Sequence, residues 1–153
     1  MPSRLGPPAV IAFGAVLVGC SLVSPADPRL CSAAQNLSAA MAMTSTALDA
    51  DEAGDLARAQ GLATQARSVS ELANSLLDGA SEEKKADPVW QALLLVYGGT
   101  AQAANSLLPA YASAHGIGRD ELARAAISMD KARQGLPAMC FDIPADVETP
   151  GQS

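Results

Sequence analysis

The sequence predicts an all-α fold, an antiparallel up-down four-helix bundle rich in alanine, on three observations. Hydrophobic residues make up 49% of the chain and aromatic residues 3%, so the core must be aliphatic. Alanine and leucine, which suit helices, dominate that apolar content, whereas the β-branched and aromatic residues that suit a pleated strand are sparse. Apolar and small residues also recur at spacings of three and four, the period of a helix face, in four stretches separated by short polar or glycine-containing connections. At 153 residues, with no composition shift in its middle, the chain reads as one folded domain, placed at residues 28–141.

The first helix is expected from Asp27-Pro28, an N-cap followed by proline at the first helical position. Its stripe is Leu30, Ala34, Leu37, Met41, Thr44 and Leu48. Asp49 with Glu52 three residues later resembles a capping box and predicts the start of a second helix, with the stripe Ala59, Leu62, Ala66, Val69, Ala73 and Leu76, closed at Gly79. Ser81-Glu82-Glu83-Lys84-Lys85 reads as a charged turn, and Asp87-Pro88 repeats the cap-plus-proline signal. The third helix then carries Trp90, Leu93, Leu94, Tyr97, Ala101, Ala104, Leu108 and Tyr111, one long helix across Gly98-Gly99. A break at Pro109 is the alternative. Gly116-Ile117-Gly118 ends it, and Arg119-Asp120-Glu121 opens a fourth helix with Leu122, Ala126, Met129 and Ala132 before Gly135-Leu136-Pro137. Residues 142–153 hold three acidic groups and two prolines, the composition of a mobile tail.

The amino terminus reads as an export signal. Arg4 supplies a positive charge and residues 9–18 are ten positions without a polar side chain. In a helix that run rises only about 15 Å, half of the roughly 30 Å hydrocarbon thickness of a bilayer, so it is short for a transmembrane anchor. At its end, Leu17-Val18-Gly19-Cys20 resembles the lipobox of bacterial lipoproteins. The resemblance covers the signal peptide alone. It implies that residues 1–19 are removed, that Cys20 becomes the lipid-bearing amino terminus, that residues 20–27 form a tether, and that the protein is extracytoplasmic, held to the cell membrane or to an outer membrane. The alternative is cleavage further on, but residues 21–27 offer no small-x-small site.

With Cys20 assigned to lipid, Cys31 and Cys140 remain, in a compartment where thiols are oxidised. They are expected to form a structural disulfide joining the start of the first helix to the end of the last, with free thiols or an intermolecular bond as alternatives. Neither cysteine lies in a Cys-x-x-Cys pair or beside histidine, which argues against a metal site.

Candidate chemistry is thin. His115, the single histidine, stands beside Gly116 at an expected helix end, where an imidazole meets the carbonyl end of the helix dipole. Met41 and Met43 are two apart and point to different sides of a helix, unlike a copper-binding cluster. Trp90, Tyr97 and Tyr111 share one helical face, read first as core and alternatively as the wall of a ligand pocket. The carboxylates Asp49, Asp51 and Glu52, and Asp120 with Glu121, fall at expected helix starts and read as caps. The sequence contains no nucleophile elbow, phosphate loop or zinc-protease motif, so no enzyme activity, catalytic residue, metal or cofactor is expected. Removal of Arg4 leaves nine basic against sixteen acidic residues, a poor composition for binding nucleic acid. The expected role is an accessory or adaptor lipoprotein that contacts another envelope protein. The alternatives are a carrier of an apolar molecule such as a lipid or haem, and an exclusion or immunity lipoprotein.

Overall fold

The structure, a computed structural model, describes residues 28–110 and 118–142. The expected signal peptide at residues 1–19, Cys20 with the expected tether, Tyr111, His115 and residues 143–153 lie outside the described residues. The elements are α1 (Pro28–Glu52), α2 (Leu56–Asp78), a one-turn α3 (Glu82–Lys85), α4 (Pro88–Asn105), α5 (Gly118–Arg133) and a 3-10 turn at Ala138–Phe141. The expected charged turn at 81–85 is thus a short helix, with Ser81 accepting a hydrogen bond from the Lys84 N–H.

The four long helices run up, down, up and down. One core cluster joins Leu30 and Leu37 of α1 to Leu77 of α2, Leu93 of α4 and Met129 of α5. The other joins Leu48 of α1 to Leu62 of α2 and Leu107 after α4, with Leu122 of α5 packed against it. Early residues of α1 and α4 therefore meet late residues of α2 and α5 at one end, and the reverse holds at the other. Leu37, Leu62, Leu77 and Leu93 are fully buried, each contributing about 1.5–3 kcal/mol. Buried alanines run down both α1 and α2, among them Ala33, Ala40, Ala47, Ala59, Ala66 and Ala73. Their small side chains let the two backbones pack along their whole length, replacing bulk with closeness. α4 sits against both α1 and α2, and α5 packs mainly on α4, meeting α1 only lightly. The cross-section is therefore a skewed square.

Between the two clusters the core changes character. Thr44, Ser70 and Thr100 are all completely buried at mid-height. Thr44 donates to the Ala40 carbonyl at 2.7 Å, whereas the Ser70 and Thr100 hydroxyls have no hydrogen-bond partner among the described residues.

Three boundaries differ from expectation. α1 continues through Asp49 to Glu52, so Asp49 does not cap α2. Gly54, at φ 85°, ends α1 instead: the Asp55 N–H donates to the Ala50 carbonyl and the Gly54 N–H to the Asp51 carbonyl, the paired bonds of a Schellman closure. Asp55 then caps α2 by accepting from the Arg58 N–H at 3.2 Å. α4 passes Gly98-Gly99 unbroken but stops at Asn105, short of Tyr111. Asn105 is four residues before Pro109, whose ring would strike that carbonyl if the helix went on, and the chain tightens into three-residue bonds at Leu107 and Leu108. In α5 the buried position is Ala125, while Ala126 is exposed, one residue out of the expected stripe. Gly118, expected as a terminator, opens α5, packed where a side chain would meet Ser106 and Leu48.

The other boundaries agree. Asp87 caps α4 by accepting from the Val89 N–H at 2.8 Å, with Pro88 opening the helix, and Gly79 follows the end of α2.

Candidate functional site

The two ends of the bundle are fastened differently. At the end where α1 begins, Cys31 and Cys140 form the expected disulfide, their Cα atoms 4.8 Å apart and 109 residues apart in sequence. Cys140 is held in the 3-10 turn, itself completely buried, and the adjoining Gln35 side chain donates to the Met139 carbonyl. Arg29 donates to the Gly79 carbonyl, so the start of α1 is also tied to the end of α2.

At the opposite end Arg119, the second residue of α5, reaches the last turn of α1. Its guanidinium lies 2.6 Å from Asp49 and 2.8 Å from Glu52. Hydrogen bonds first to Glu52 and then to Asp49 raise its pKa above the ordinary arginine value. Asp49 and Glu52, expected as caps for α2, are instead acceptors for α5. No local pattern announces this pairing, because the partners lie some seventy residues apart.

Trp90 and Tyr97 do share a flank of α4, the one turned to α2. The Trp90 indole N–H donates to the Leu77 carbonyl at 2.9 Å, and the Tyr97 hydroxyl meets Glu71 at 3.2 Å. Burial, together with the Glu71 charge and hydrogen bond, raises the Tyr97 pKa. Both rings pack on the first core cluster, and each spends its polar atom on α2. Tyr111, the third residue of that expected face, is not among the described residues.

The light contact of α5 with α1 leaves a groove between them, with a volume of about 250 Å³. Ser38 and Met41 of α1, Met129 and Arg133 of α5, and Phe141 of the 3-10 turn line it. The Arg133 guanidinium stands 5.0 Å above the Phe141 ring, a cation–π contact, and its ion pair with Asp130 is long at 3.8 Å. The Ser38 hydroxyl oxygen is buried without a hydrogen-bond partner among the described residues. Sequence reasoning missed the groove, since it arises from the skewed packing of helices and not from any motif.

Among the described residues no three His, Cys, Asp or Glu side chains gather to hold a metal ion, and no helix is long and apolar enough to cross a membrane. In comparisons with protein-family models, curated proteins and solved structures, nothing matches this chain.

Proposed function

We propose that the protein is a membrane-anchored extracytoplasmic lipoprotein whose helical bundle acts as an accessory or adaptor, contacting another envelope protein. The observation that carries this reading is Leu17-Val18-Gly19-Cys20 at the end of a short apolar run, followed after a brief tether by a disulfide-stapled bundle. A disulfide joining the ends of the folded domain suits an oxidising compartment. The eight residues from Cys20 to the start of α1 reach at most about 28 Å. The stapled end of the bundle would then lie near the membrane and the Arg119 end would face away, available to a partner.

The adaptor reading is favoured over an apolar carrier by the flank of α4. Trp90 and Tyr97 are packed on the core and hydrogen-bonded to α2, which leaves them little freedom to grip a ligand.

Two measurements test the proposal. Intact mass of the protein purified from membranes should equal residues 20–153 plus the lipid, and Cys20→Ala should abolish membrane association. An unlipidated chain starting elsewhere would overturn the anchor. Mild crosslinking in native membranes followed by pull-down should recover the same envelope protein repeatedly, and recovery of no specific partner would remove the adaptor role.

A further inference from the structure

α4, alone among the four long helices, contains no Asp, Glu, Lys or Arg. Its inner face packs through Leu93, Val96, Thr100 and Ala104, all buried. The helical period then places Gln91, Leu94, Leu95, Gly98 and Gln102 on the outer face, with Gly98 at its centre. Leu94 is 37% exposed and Leu95 63%. A methyl group added at Gly98 meets nothing within 4 Å, so packing among the described residues does not require a glycine there, although glycine is a poor helix former. Gly61 of α2 is equally open, but it sits among Arg58, Thr64 and Gln65 with no exposed leucine beside it.

The helices on either side border this face with opposite charges. On the α2 side Tyr97 meets Glu71, and Asp78, further along the same row, stands near enough to help raise the Tyr97 pKa. On the α5 side Gly99 closely approaches Glu121 and Ala125, which puts Arg124 and Lys131 on the adjoining row, along the border of the face. Counted at about 1.5 Å per residue from the Tyr97–Glu71 and Gly99–Ala125 contacts, Asp78 and Lys131 lie within about 5 Å of the same height along α4. Both are exposed, and neither has an ion pair among the described residues.

The chain carries a net charge of −6, so two copies repel each other unless their contact is uncharged and its borders are complementary. The outer face of α4 meets the first condition, and its borders meet the second in one orientation. With a two-fold axis parallel to the helices, the α2 border of each copy faces the α5 border of the other, and Asp78 meets Lys131 of the partner subunit twice. An axis across the helices would instead set the two Glu71 borders against each other. We propose that two copies of this chain pair in parallel through α4, crossing at Gly98 between the exposed leucines, with Asp78 opposite Lys131 of the partner subunit. The 18-residue helix is about 27 Å long, so the contact takes in both borders to approach the roughly 800 Å² per partner of a specific interface. The parallel arrangement turns both Cys31 ends the same way, as two chains anchored in one membrane require, but it does not depend on lipid at Cys20.

Disulfide crosslinking in cells producing the full chain tests the pairing. Leu94→Cys, close to the axis, should bond to its own copy and give a dimer on a non-reducing gel. That dimer should be several-fold stronger than in the wild type or in Ile127→Cys, an exposed control on α5. Gly98→Leu, added to Leu94→Cys, puts bulk into open space without disturbing the bundle and should reduce the dimer several-fold. Lys131→Asp should weaken it likewise, and Asp78→Lys added to Lys131→Asp should restore it, because the ion pair is then reversed. A Leu94→Cys dimer no stronger than that of Ile127→Cys would overturn the pairing. So would bonding of Leu94→Cys to Gln102→Cys and not to itself, the mark of an antiparallel pair, or bonding only to a different protein.

Discussion

Arg119 Nη2 lies 2.6 Å from Asp49 Oδ1, joining the first turn of α5 to the last turn of α1 at the end of the bundle opposite the disulfide. Glu52 completes the fork, accepting from Arg119 Nε at 2.9 Å. The arginine side chain is 46% exposed and the two carboxylates more so, which means that water and salt screen the attraction. Arg119→Gln should therefore lower stability by no more than about 1 kcal/mol, and the loss should shrink in about 1 M NaCl. Urea unfolding at low and high salt measures both. A loss independent of salt would mean that packing, and not charge, joins these helices.

At the other end the tie is covalent. Reduction, or Cys31→Ser with Cys140→Ser, releases a closed loop of about 110 residues, for which the chain-entropy model sets a loss of up to about 4.7 kcal/mol. Unfolding midpoints with and without reductant should differ widely. Coincident midpoints would show that the staple adds nothing to a core already sufficient.

Two adjacent glycines should respond in opposite directions. A methyl group at Gly99 would stand 2.8 Å from the Glu121 carbonyl oxygen and 3.1 Å from Ala125 Cβ, so Gly99→Ala must push α5 off α4, at about 1–3 kcal/mol. At Gly98 the added methyl meets nothing within 4 Å, and Gly98→Ala should stabilise the helix by about 0.5–1 kcal/mol. Thermal unfolding of the two variants gives the sign directly.

The buried hydroxyls at mid-core make a similar pair. Thr100→Val removes an oxygen without a partner among the described residues and should raise the melting temperature, by the equivalent of about 1 kcal/mol. Thr44→Val removes one that bonds Ala40 and should gain less. If Thr100→Val melts lower than the wild type, the hydroxyl has a partner after all, such as a bound water.

Tyr97 sets a pH dependence. Its pKa is raised in the folded protein, so the folded state holds the phenolic proton longer than the unfolded chain does. That contribution is fully present below about pH 10, the ordinary tyrosine value, and is lost as pH rises through the higher folded value. Unfolding free energy should fall more steeply above pH 10 in the wild type than in Tyr97→Phe. Glu71→Gln, which removes a charge and weakens the hydrogen bond behind the shift, should reduce the slope as well.

The helices were legible because their signals are local. Asp87-Pro88 caps α4 as read, and buried Leu30, Leu37, Leu62 and Leu93 fall on the expected stripes. The errors have local causes too. Asp49 and Glu52 carried a start pattern, yet the left-handed glycine at position 54 with Asp55 behind it made a stronger stop and restart. In α5 alanine occupies both 125 and 126, so periodicity could not choose between them, and the close approach of Gly99 decided for Ala125.

The sequence by itself determined the helix class and most of the helix faces, since propensity and period act within the reach of a pattern; it made the Cys31–Cys140 bond the expectation only once the lipobox resemblance set Cys20 aside, and the structure brings the two together. Only the tertiary structure decided that Arg119 would bind Asp49 and Glu52, that Trp90 and Tyr97 would bond α2, and that a groove would open beside Met41. Those outcomes depend on how far apart helix axes settle. In a core built on alanine, that distance is set by which small residues happen to face each other across the bundle.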